Sequence, residues 1–345
     1  TLRKRESTVA IMETPPKPAA KRAPATMPLP GTDAKIQRNA PMSMHTTMRM
    51  GGPAEFLLRA ATPELIEIAA AWADAEGLPV TVIGGGSNLL VSDVGIRGLV
   101  IVVRTPGQKA GDLLEAEDDG DSVLLRVAAQ APISWVGRTA AERGWAGMDW
   151  AVGLPGQIGG AVVNNAGAHG TEVKDHLEGI EVLEDGVRRE LDRSWLEPAF
   201  RTTRIKGAPR PRPWIVTRAI FRLPKGDPEA LVALADEHAR FRKETQPTGA
   251  CSGSIFVNPE GDFAGRLLEQ AGVKGMAVGG ARFSDKHANW IVNAGNATAT
   301  GTWELIQQAR EIVRERDGIA LRTEIERVGE WPDLDSTGQE EDIDE

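Results

Sequence analysis

The residues best suited to chemistry are a run of three glycines followed by two small polar side chains. Gly84, Gly85 and Gly86 precede Ser87 and Asn88, and the apolar residues just before them are typical of the end of a buried strand. A backbone without Cβ atoms turns tightly, and successive N–H groups around such a turn form a nest that binds anions. The pattern favours a diphosphate ligand, with a plain strand-to-loop turn as the alternative.

The spacing of these residues excludes two common nucleotide-binding motifs. Leu89 occupies the position that the third glycine takes in the dinucleotide fingerprint G-x-G-x-x-G. The Gly-Lys-Ser/Thr that completes a P-loop does not follow either. A different kind of nucleotide site is therefore expected.

A second segment, residues 153–170, holds six glycines among small apolar residues. It has too few bulky side chains to build a core, and it suits a backbone that approaches a large flat ligand closely. A flexible linker is the alternative, but linkers of that kind are polar. Two such segments, about seventy residues apart in one domain, indicate a flavin site.

The elements that would position these segments alternate between helices and strands. Apolar residues at helical spacing, and short apolar runs bounded by glycine or proline, predict both kinds of element. The predicted helices cover residues 63–76, 134–143, 228–243, 262–271 and 300–316. The predicted strands cover residues 78–83, 98–103, 122–128, 178–183, 214–222 and 320–328. This mixture predicts an α+β or α/β fold.

Composition divides the chain into four parts. Residues 1–40 are rich in Pro, Ala and Lys without a sustained apolar period, which predicts a disordered basic tail. Proline and glycine at 224–226 predict a boundary between one domain at 41–223 and another at 224–330. Residues 331–345 form a predicted acidic tail.

Composition also excludes several classes of protein. The 345 residues are 41% hydrophobic and 26% charged, an ordinary balance for a globular protein. The single cysteine, Cys251, rules out an intramolecular disulfide framework and a four-cysteine zinc site, and no metal is expected. The net charge of −9 argues against nucleic-acid binding. No apolar run is long enough for a membrane span or a signal peptide, so we expect a cytoplasmic protein without membrane contact.

The ordered motifs together resemble the UDP-N-acetylenolpyruvoylglucosamine reductase family. The resemblance covers about residues 42–330. It rests on residues 45–54, 83–90, 153–170, 253–259 (Gly-Ser-Ile-Phe-Val-Asn-Pro) and 284–290, and on the segment around Glu324. It implies an α+β fold with an FAD-binding PCMH-type domain, similar to vanillyl-alcohol oxidase. A smaller substrate-binding domain would follow, with its last strand returning to the first domain.

The resemblance implies an activity, namely NADPH-dependent reduction of UDP-N-acetylglucosamine enolpyruvate to UDP-N-acetylmuramate in peptidoglycan precursor synthesis. FAD, bound noncovalently, would carry the hydride, and NADPH would donate it. The partner is then a small nucleotide-sugar substrate, and a monomer is expected.

The resemblance assigns catalytic roles to three residues. Ser254 matches the proton donor, Arg201 matches the arginine that polarises the substrate carboxylate, and Glu324 matches the acid that completes this electrophilic clamp. Without the resemblance each has another interpretation. Ser254 would be a turn serine, with Ser252 and Cys251 as competing donors, and the two charged residues would be solvated surface groups.

Further residues are implied to bind the cofactor or the substrate. The cofactor-binding set lies in the two glycine segments and in the helix that ends near residue 245: Gly84, Gly85, Gly86, Ser87, Asn88, Leu89, Gly153, Pro155, Gly156, Ile158, Gly159, Gly160, Ala161, Asn164 and Arg242. The substrate-binding set is Lys286, His287 and Asn258. The chain has no tyrosine, so it resembles the family type that lacks a substrate-binding tyrosine loop. Phe200 stands where a tyrosine commonly precedes the matching arginine.

Two other functions stay open from the sequence. One is a different FAD-dependent oxidoreductase of the same superfamily, acting on an alcohol or a sugar. Such enzymes often tether FAD covalently, and His169 is a nearby residue able to do so. The other is a non-catalytic regulator that binds flavin or a nucleotide sugar, which the charged tails would suit.

Overall fold

The computed structural model describes residues 25–103 and 110–332. Most of the predicted basic tail, residues 1–24, and residues 333–345 of the acidic tail lie outside the described residues. In chain order the strands are β1 (Thr26–Pro28), β2 (Lys35–Pro41), β3 (Pro53–Ala60), β4 (Val80–Ile83), β5 (Leu89–Val91), β6 (Ile96–Val103), β7 (Leu114–Asp119), β8 (Ser122–Ala128), β9 (Gly167–Ala168), β10 (Thr171–Glu172), β11 (Leu177–Glu184), β12 (Val187–Asp192), β13 (Trp214–Pro224), β14 (Ala277–Val278), β15 (Ala281–Phe283), β16 (Ile291–Asn293) and β17 (Glu326–Val328).

The helices are interleaved with these strands. In chain order they are α1 (Pro63–Ala75), α2 (Ile133–Glu142), α3 (Ile158–Val163), α4 (Arg193–Leu196), α5 (Arg204–Gly207), α6 (Pro228–Thr245), α7 (Ala264–Gln270) and α8 (Ala299–Asp317). Within the described ranges, none of these helices combines the length and the apolar character that crossing a bilayer requires.

The first sheet has the strand order β1-β2-β3-β6-β4. Its strands β3, β6 and β4 run parallel, as expected where a helix connects two strands. That helix is α1, which begins where Thr62 accepts a hydrogen bond from the Leu65 backbone and Pro63 takes the first position. Its apolar face, with Ile66 and Ala69, packs into the core of the first sheet. Strand β4 thus ends directly before Gly84, where the first glycine segment begins.

The prediction of a disordered tail is wrong for residues 25–40. Strand β1 pairs with β2 and β2 pairs with β3, so this stretch extends the first sheet. Leu29, Ile36 and Ala40 are fully buried. Because these apolar side chains are widely spaced and the ladder hydrogen bonds come from β3, a local apolar period does not reveal the strands. At the other end, the predicted acidic tail begins one residue too early, since Trp331, its first residue, is buried in the core.

The second sheet is antiparallel, with the order β12-β11-β13-β8-β7. Helices α2 and α3 contribute buried side chains to its core. Helix α6, which lies after the predicted domain boundary, packs against α2 through Leu231 and Ala235. Arg242 on α6 is thereby brought beside the second glycine segment.

A smaller unit follows, built from β14, β15 and β16 with helices α7 and α8. The predicted helix over 300–316 is observed at Ala299–Asp317 and ends at Gly318, whose φ is 70°. The predicted strand over 320–328 is a strand only at β17. Strand β17 leaves this unit and pairs in parallel with β5 of the N-terminal half. This pairing brings Glu324 next to the first glycine segment.

Candidate active site

A cavity of about 920 Å³ lies where the two large sheets and the C-terminal unit meet. Its wall includes both glycine segments, the stretch that precedes β13, the turn at residues 253–258 and the segment that leads into β17. A cavity of this size is at the upper end of the range that suits a nucleotide-sized ligand.

The two glycine segments lie side by side and in contact on the wall of this cavity. A Cβ atom on Gly85 would lie 3.2 Å from the Cα of Gly156, and one on Gly84 would lie 2.7 Å from Oε1 of Gln157. The Asn88 side chain donates hydrogen bonds to Asn164 Oδ1 at 3.1 Å and to the Glu324 carbonyl at 3.0 Å. Asn88, in the first glycine segment, is therefore hydrogen-bonded both to the second glycine segment and to the segment that leads into β17.

Most residues predicted to bind the cofactor line the cavity. These are Gly84, Gly85, Gly86, Ser87, Asn88, Leu89, Pro155, Gly156, Gly159, Gly160, Ala161, Asn164 and Arg242. The prediction does not hold for Ile158, whose side chain is fully buried in the core and whose N–H donates to the Ala131 carbonyl. Gly153 does not line the cavity; a Cβ atom there would lie 3.3 Å from Cδ of Arg242.

The groups along these segments fit FAD. Gly86 and Gly156 have positive φ angles of 64° and 105°, so the backbone turns sharply in both segments. Gln157 Oε1 and Arg242 Nε are buried and have no hydrogen-bond partner among the described residues. Buried polar groups are nearly always partnered in native proteins. A polar ligand lying along both segments would provide partners for these groups.

Gly86 is the glycine whose replacement we expect to damage this site most. A Cβ atom there would lie 2.1 Å from the His45 carbonyl oxygen, and φ is 64°. The Gly86→Ala variant must move backbone in the diphosphate turn, so we expect its affinity for FAD to fall at least about tenfold. Fluorescence titration of FAD onto the apoprotein measures this change.

Gly120 provides the matched control. It has the same φ of 64°, but nothing lies within 4 Å of its Cβ position. The Gly120→Ala variant therefore carries the cost of the left-handed conformation without the collision. Equal FAD affinities for the two variants would show that the collision with the His45 carbonyl does not affect FAD binding.

Ser254 lines the cavity, whereas its two competitors do not. The Ser252 side chain is buried and its hydroxyl donates to the Gly253 carbonyl at 3.1 Å. Burial raises the pKa of the Cys251 thiol, which makes it a poorer proton donor. Of the three neighbouring donors, Ser254 is the one placed to reach a ligand.

Arg201 and Glu324 meet at the same wall, although 123 residues separate them in the sequence. Arg201 Nε lies 3.1 Å from Glu324 Oε1, and their side chains are only 18% and 21% exposed. Arg201 Nη2 also donates to the Gly167 carbonyl at 2.7 Å. Arg201 has a φ of 59°, a conformation uncommon for residues other than glycine. Its placement is thus fixed by the fold rather than by local preference.

The surroundings of Glu324 change the pKa of its carboxyl group. Burial raises its pKa, against the opposing positive charges of Arg201, Lys206 and Arg322. The protonated form therefore persists to higher pH than in an ordinary glutamate. A surface-exposed strand face, the other interpretation of this residue, does not agree with its burial.

The residues predicted to bind the substrate separate into two groups. Asn258 lines the cavity, and its Oδ1 accepts a hydrogen bond from the Ala264 backbone at the start of α7. Lys286 and His287 do not line the cavity wall. Lys286 Nζ donates to the Lys243 carbonyl at 2.7 Å, so its ammonium group already has a partner within the protein. Their placement does not support the predicted contact with the substrate diphosphate.

Sequence reasoning missed two charged groups of this wall. Glu172 lies beside Arg201, with a closest distance of 3.8 Å between Oε1 and Nη1. The side chain of Glu326 is only 13% exposed and forms ion pairs with Arg210 and, at 2.8 Å, with Arg212. The arginine that each carboxylate meets lies far from it in the sequence. The charged residues near them in the sequence therefore predicted only an exposed surface.

The fold and the cavity define an FAD-dependent oxidoreductase. Residues 54–190 match the family model described as FAD binding domain, and residues 246–328 match the model for the C-terminal domain of UDP-N-acetylenolpyruvoylglucosamine reductase. The chain belongs to the UDP-N-acetylenolpyruvoylglucosamine reductase family. The predicted fold class, flavin cofactor and enzyme class are thereby confirmed.

Individual relatives are similar over nearly their whole length. The UDP-N-acetylenolpyruvoylglucosamine reductase of Gloeobacter violaceus is 42% identical over 86% of this chain and 97% of its own length. That of Bacillus velezensis is 38% identical over 86% and 94%. The crystal structure of the Thermus caldophilus enzyme superposes with a TM-score of 0.70 at 32% identity, covering 86% of this chain and 99% of the other.

Proposed function

We propose that this enzyme reduces UDP-N-acetylglucosamine enolpyruvate to UDP-N-acetylmuramate, with NADPH as the hydride donor. One observation supports this most directly. Ser254, Arg201 and Glu324, from three distant parts of the chain, line the same cavity as both glycine segments. The names of the similar proteins, which are reductases of this substrate, agree with it.

The glycine segments would hold FAD. Backbone N–H groups around Gly85 and Gly86 suit the diphosphate, and the second segment suits the flat parts of the cofactor. When bound, FAD supplies the hydride that it has received from NADPH.

Arg201 would bind the carboxylate of the enolpyruvyl group. A planar guanidinium matches a carboxylate, and partial burial strengthens the pairing. Hydride addition to the terminal methylene carbon pushes electrons of the C=C bond toward this carboxylate. Arg201 stabilises the negative charge that develops there.

Glu324 would assist as a neutral acid. A carboxylate beside the developing charge would repel it, whereas a protonated carboxyl group donates a hydrogen bond to it. The raised pKa of Glu324, caused by burial, favours the protonated form. Arg201 and Glu324 would thus act on the same substrate group.

Ser254 would deliver the proton that completes the reaction. After hydride addition, the carbon next to the carboxylate carries the electron pair of the former double bond. This carbon is a strong base, so even a weakly acidic hydroxyl can transfer its proton to it. The position of Ser254 on the cavity wall supports this role.

Visible spectra of the purified protein test the proposal. Flavin absorption should bleach when NADPH is added without oxygen and return when the enolpyruvyl nucleotide follows. Bleaching without return would leave a flavoenzyme with another substrate, such as an alcohol or a sugar. Bound flavin that NADPH does not bleach would favour a non-catalytic regulator.

Two finer points belong to the same proposal. A single cysteine and no dependence on disulfides suit a cytoplasmic enzyme. We propose a monomer, because Ser254, Arg201, Glu324 and both glycine segments already meet within a single chain, so the proposed site needs no residue from a second copy. A larger assembly in sedimentation experiments would contradict the monomer.

A further inference from the structure

Glu172 is the charged residue at Arg201 to which no role has been assigned. It belongs to β10, just after the second glycine segment, and its side chain is 14% exposed. Oε1 lies 3.8 Å from Arg201 Nη1 and has no hydrogen-bond partner among the described residues. Arg201 therefore faces two carboxylates, with Glu324 at its Nε and Glu172 at its Nη1.

Glu172 is held firmly by its other contacts. Its Oε2 lies 2.7 Å from Lys174 Nζ and accepts a hydrogen bond from Asn165 Nδ2 at 3.1 Å. The Glu172 backbone N–H donates to the Asp175 carboxylate, and the Glu172 side chain accepts a backbone N–H in return. The backbone carbonyl of Asn165, a fully buried residue, also accepts a hydrogen bond from Arg201 Nη1. Lys174 and Asn165 therefore hold the Glu172 carboxylate in place beside Arg201.

The charges around Arg201 then fall into a definite pattern. Glu172, Lys174 and Arg201 together carry one positive charge in excess. Lys206 and Arg322 add further positive charge beside Glu324. A neutral Glu324 preserves this positive excess for a substrate carboxylate, whereas an ionised Glu324 would reduce it and would repel the substrate. Glu326, two residues further on, is already paired with Arg210 and Arg212.

We propose that Glu172 is a positioning residue that holds the Arg201 guanidinium and supplies its permanent counter-charge, so that Glu324 can carry a proton. This inference rests on the proposed function. It assigns Glu172 no contact with the substrate. Its effect is transmitted through Arg201.

The Glu172→Gln variant tests the inference in the FAD-loaded enzyme. Without the counter-charge, Arg201 should draw Glu324 into its ionised form, so substrate reduction should be lost at lower pH than in the wild type. At the pH where the wild type retains half of its maximal rate, we expect the variant to be about fivefold slower. The KM for the enolpyruvyl nucleotide should not rise, because the site has become more positive.

Infrared spectra give a readout that needs no substrate. The band of the protonated carboxyl group, identified by its loss in Glu324→Gln, should disappear at lower pH in Glu172→Gln than in the wild type. The Glu172→Asp variant keeps the charge, and its band should titrate as in the wild type. Lys174→Met leaves the contact with Arg201 in place, so it should not move the band to lower pH.

The outcomes are distinct. An unchanged band in Glu172→Gln would overturn the inference, as would equal rate losses at every pH with a raised KM, which indicate a structural role. A shifted band in an enzyme that does not reduce the enolpyruvyl nucleotide would support the charge assignment and contradict the proposed function instead.

Discussion

Replacing Ser254 with alanine is expected to slow substrate reduction by about 100- to 10,000-fold, the range that a positioned proton donor contributes. Flavin reduction by NADPH should keep its wild-type rate, because that half-reaction needs no proton from this hydroxyl. Hydride transfer to the substrate would then lack the step that traps its product. Anaerobic stopped-flow measurements that follow flavin bleaching and its return separately would show this difference.

Ser252→Ala is the matched control for Ser254. Both variants remove one hydroxyl from the same turn, but the Ser252 hydroxyl is buried and bonded to the Gly253 carbonyl. We expect both half-reactions of the control to stay within a few-fold of the wild type. If the Ser254 variant slowed both half-reactions equally, its serine would serve the structure of the turn rather than proton transfer. If Ser252→Ala alone slowed substrate reduction, the proton donor would be the other serine.

The glycine segments were predictable from sequence because their property is local. The absence of Cβ atoms at Gly85 and Gly156 is visible in the sequence, and the structure uses it where the two segments touch. Helix α8 was predictable for the same reason, since its apolar period and its terminal Gly318 are contained within it. Features of this kind do not depend on what the rest of the chain does.

The charged part of the site was predictable only through the family resemblance. Arg201 and Glu324 look like surface residues among charged neighbours, and they become a pair only when β17 pairs with β5. Glu172 and Glu326 were not detected, because the arginines with which they pair, Arg201 and Arg212, are distant in sequence. Burial by tertiary contacts therefore decides the chemistry of these carboxylates, and no local period encodes it.

For Phe200 the structure adds a contact that the sequence does not reveal. Phe200, at the position where the resemblance implies a tyrosine, is 46% exposed, and the Arg201 guanidinium lies 5.2 Å from its ring centre. A cation–π contact of this kind needs the ring and not a hydroxyl. The substitution therefore retains one way of holding Arg201, a point that the sequence comparison alone could not reveal.

Glu326→Gln is expected to lower the free energy of unfolding by about 3 kcal/mol or more, because it leaves two guanidinium groups without their buried counter-charge. The urea midpoint, measured at one fixed excess of FAD, would report the loss. Glu330→Gln is the matched control four residues later. Its partner Arg97 is 69% exposed and Glu330 itself is 48% exposed, so we expect a change below about 1 kcal/mol.

The pH dependence separates the charge of Glu326 from its shape. Burial opposes ionisation of Glu326, but the charges of Arg212 and Arg210 outweigh it and lower its pKa. A lowered pKa contributes stability that is fully present above the pKa of an unfolded glutamate, about 4.3, and is lost as the pH falls through the lower folded pKa. The difference between wild type and Glu326→Gln should therefore be largest near neutral pH and shrink below about pH 4. A difference that stayed constant well below that pH, while the wild type remained folded, would mean that the ion pairs contribute nothing and that the amide is simply a poor fit. Because Glu326 begins β17 two residues after Glu324, the same variant should also weaken substrate reduction more than flavin reduction.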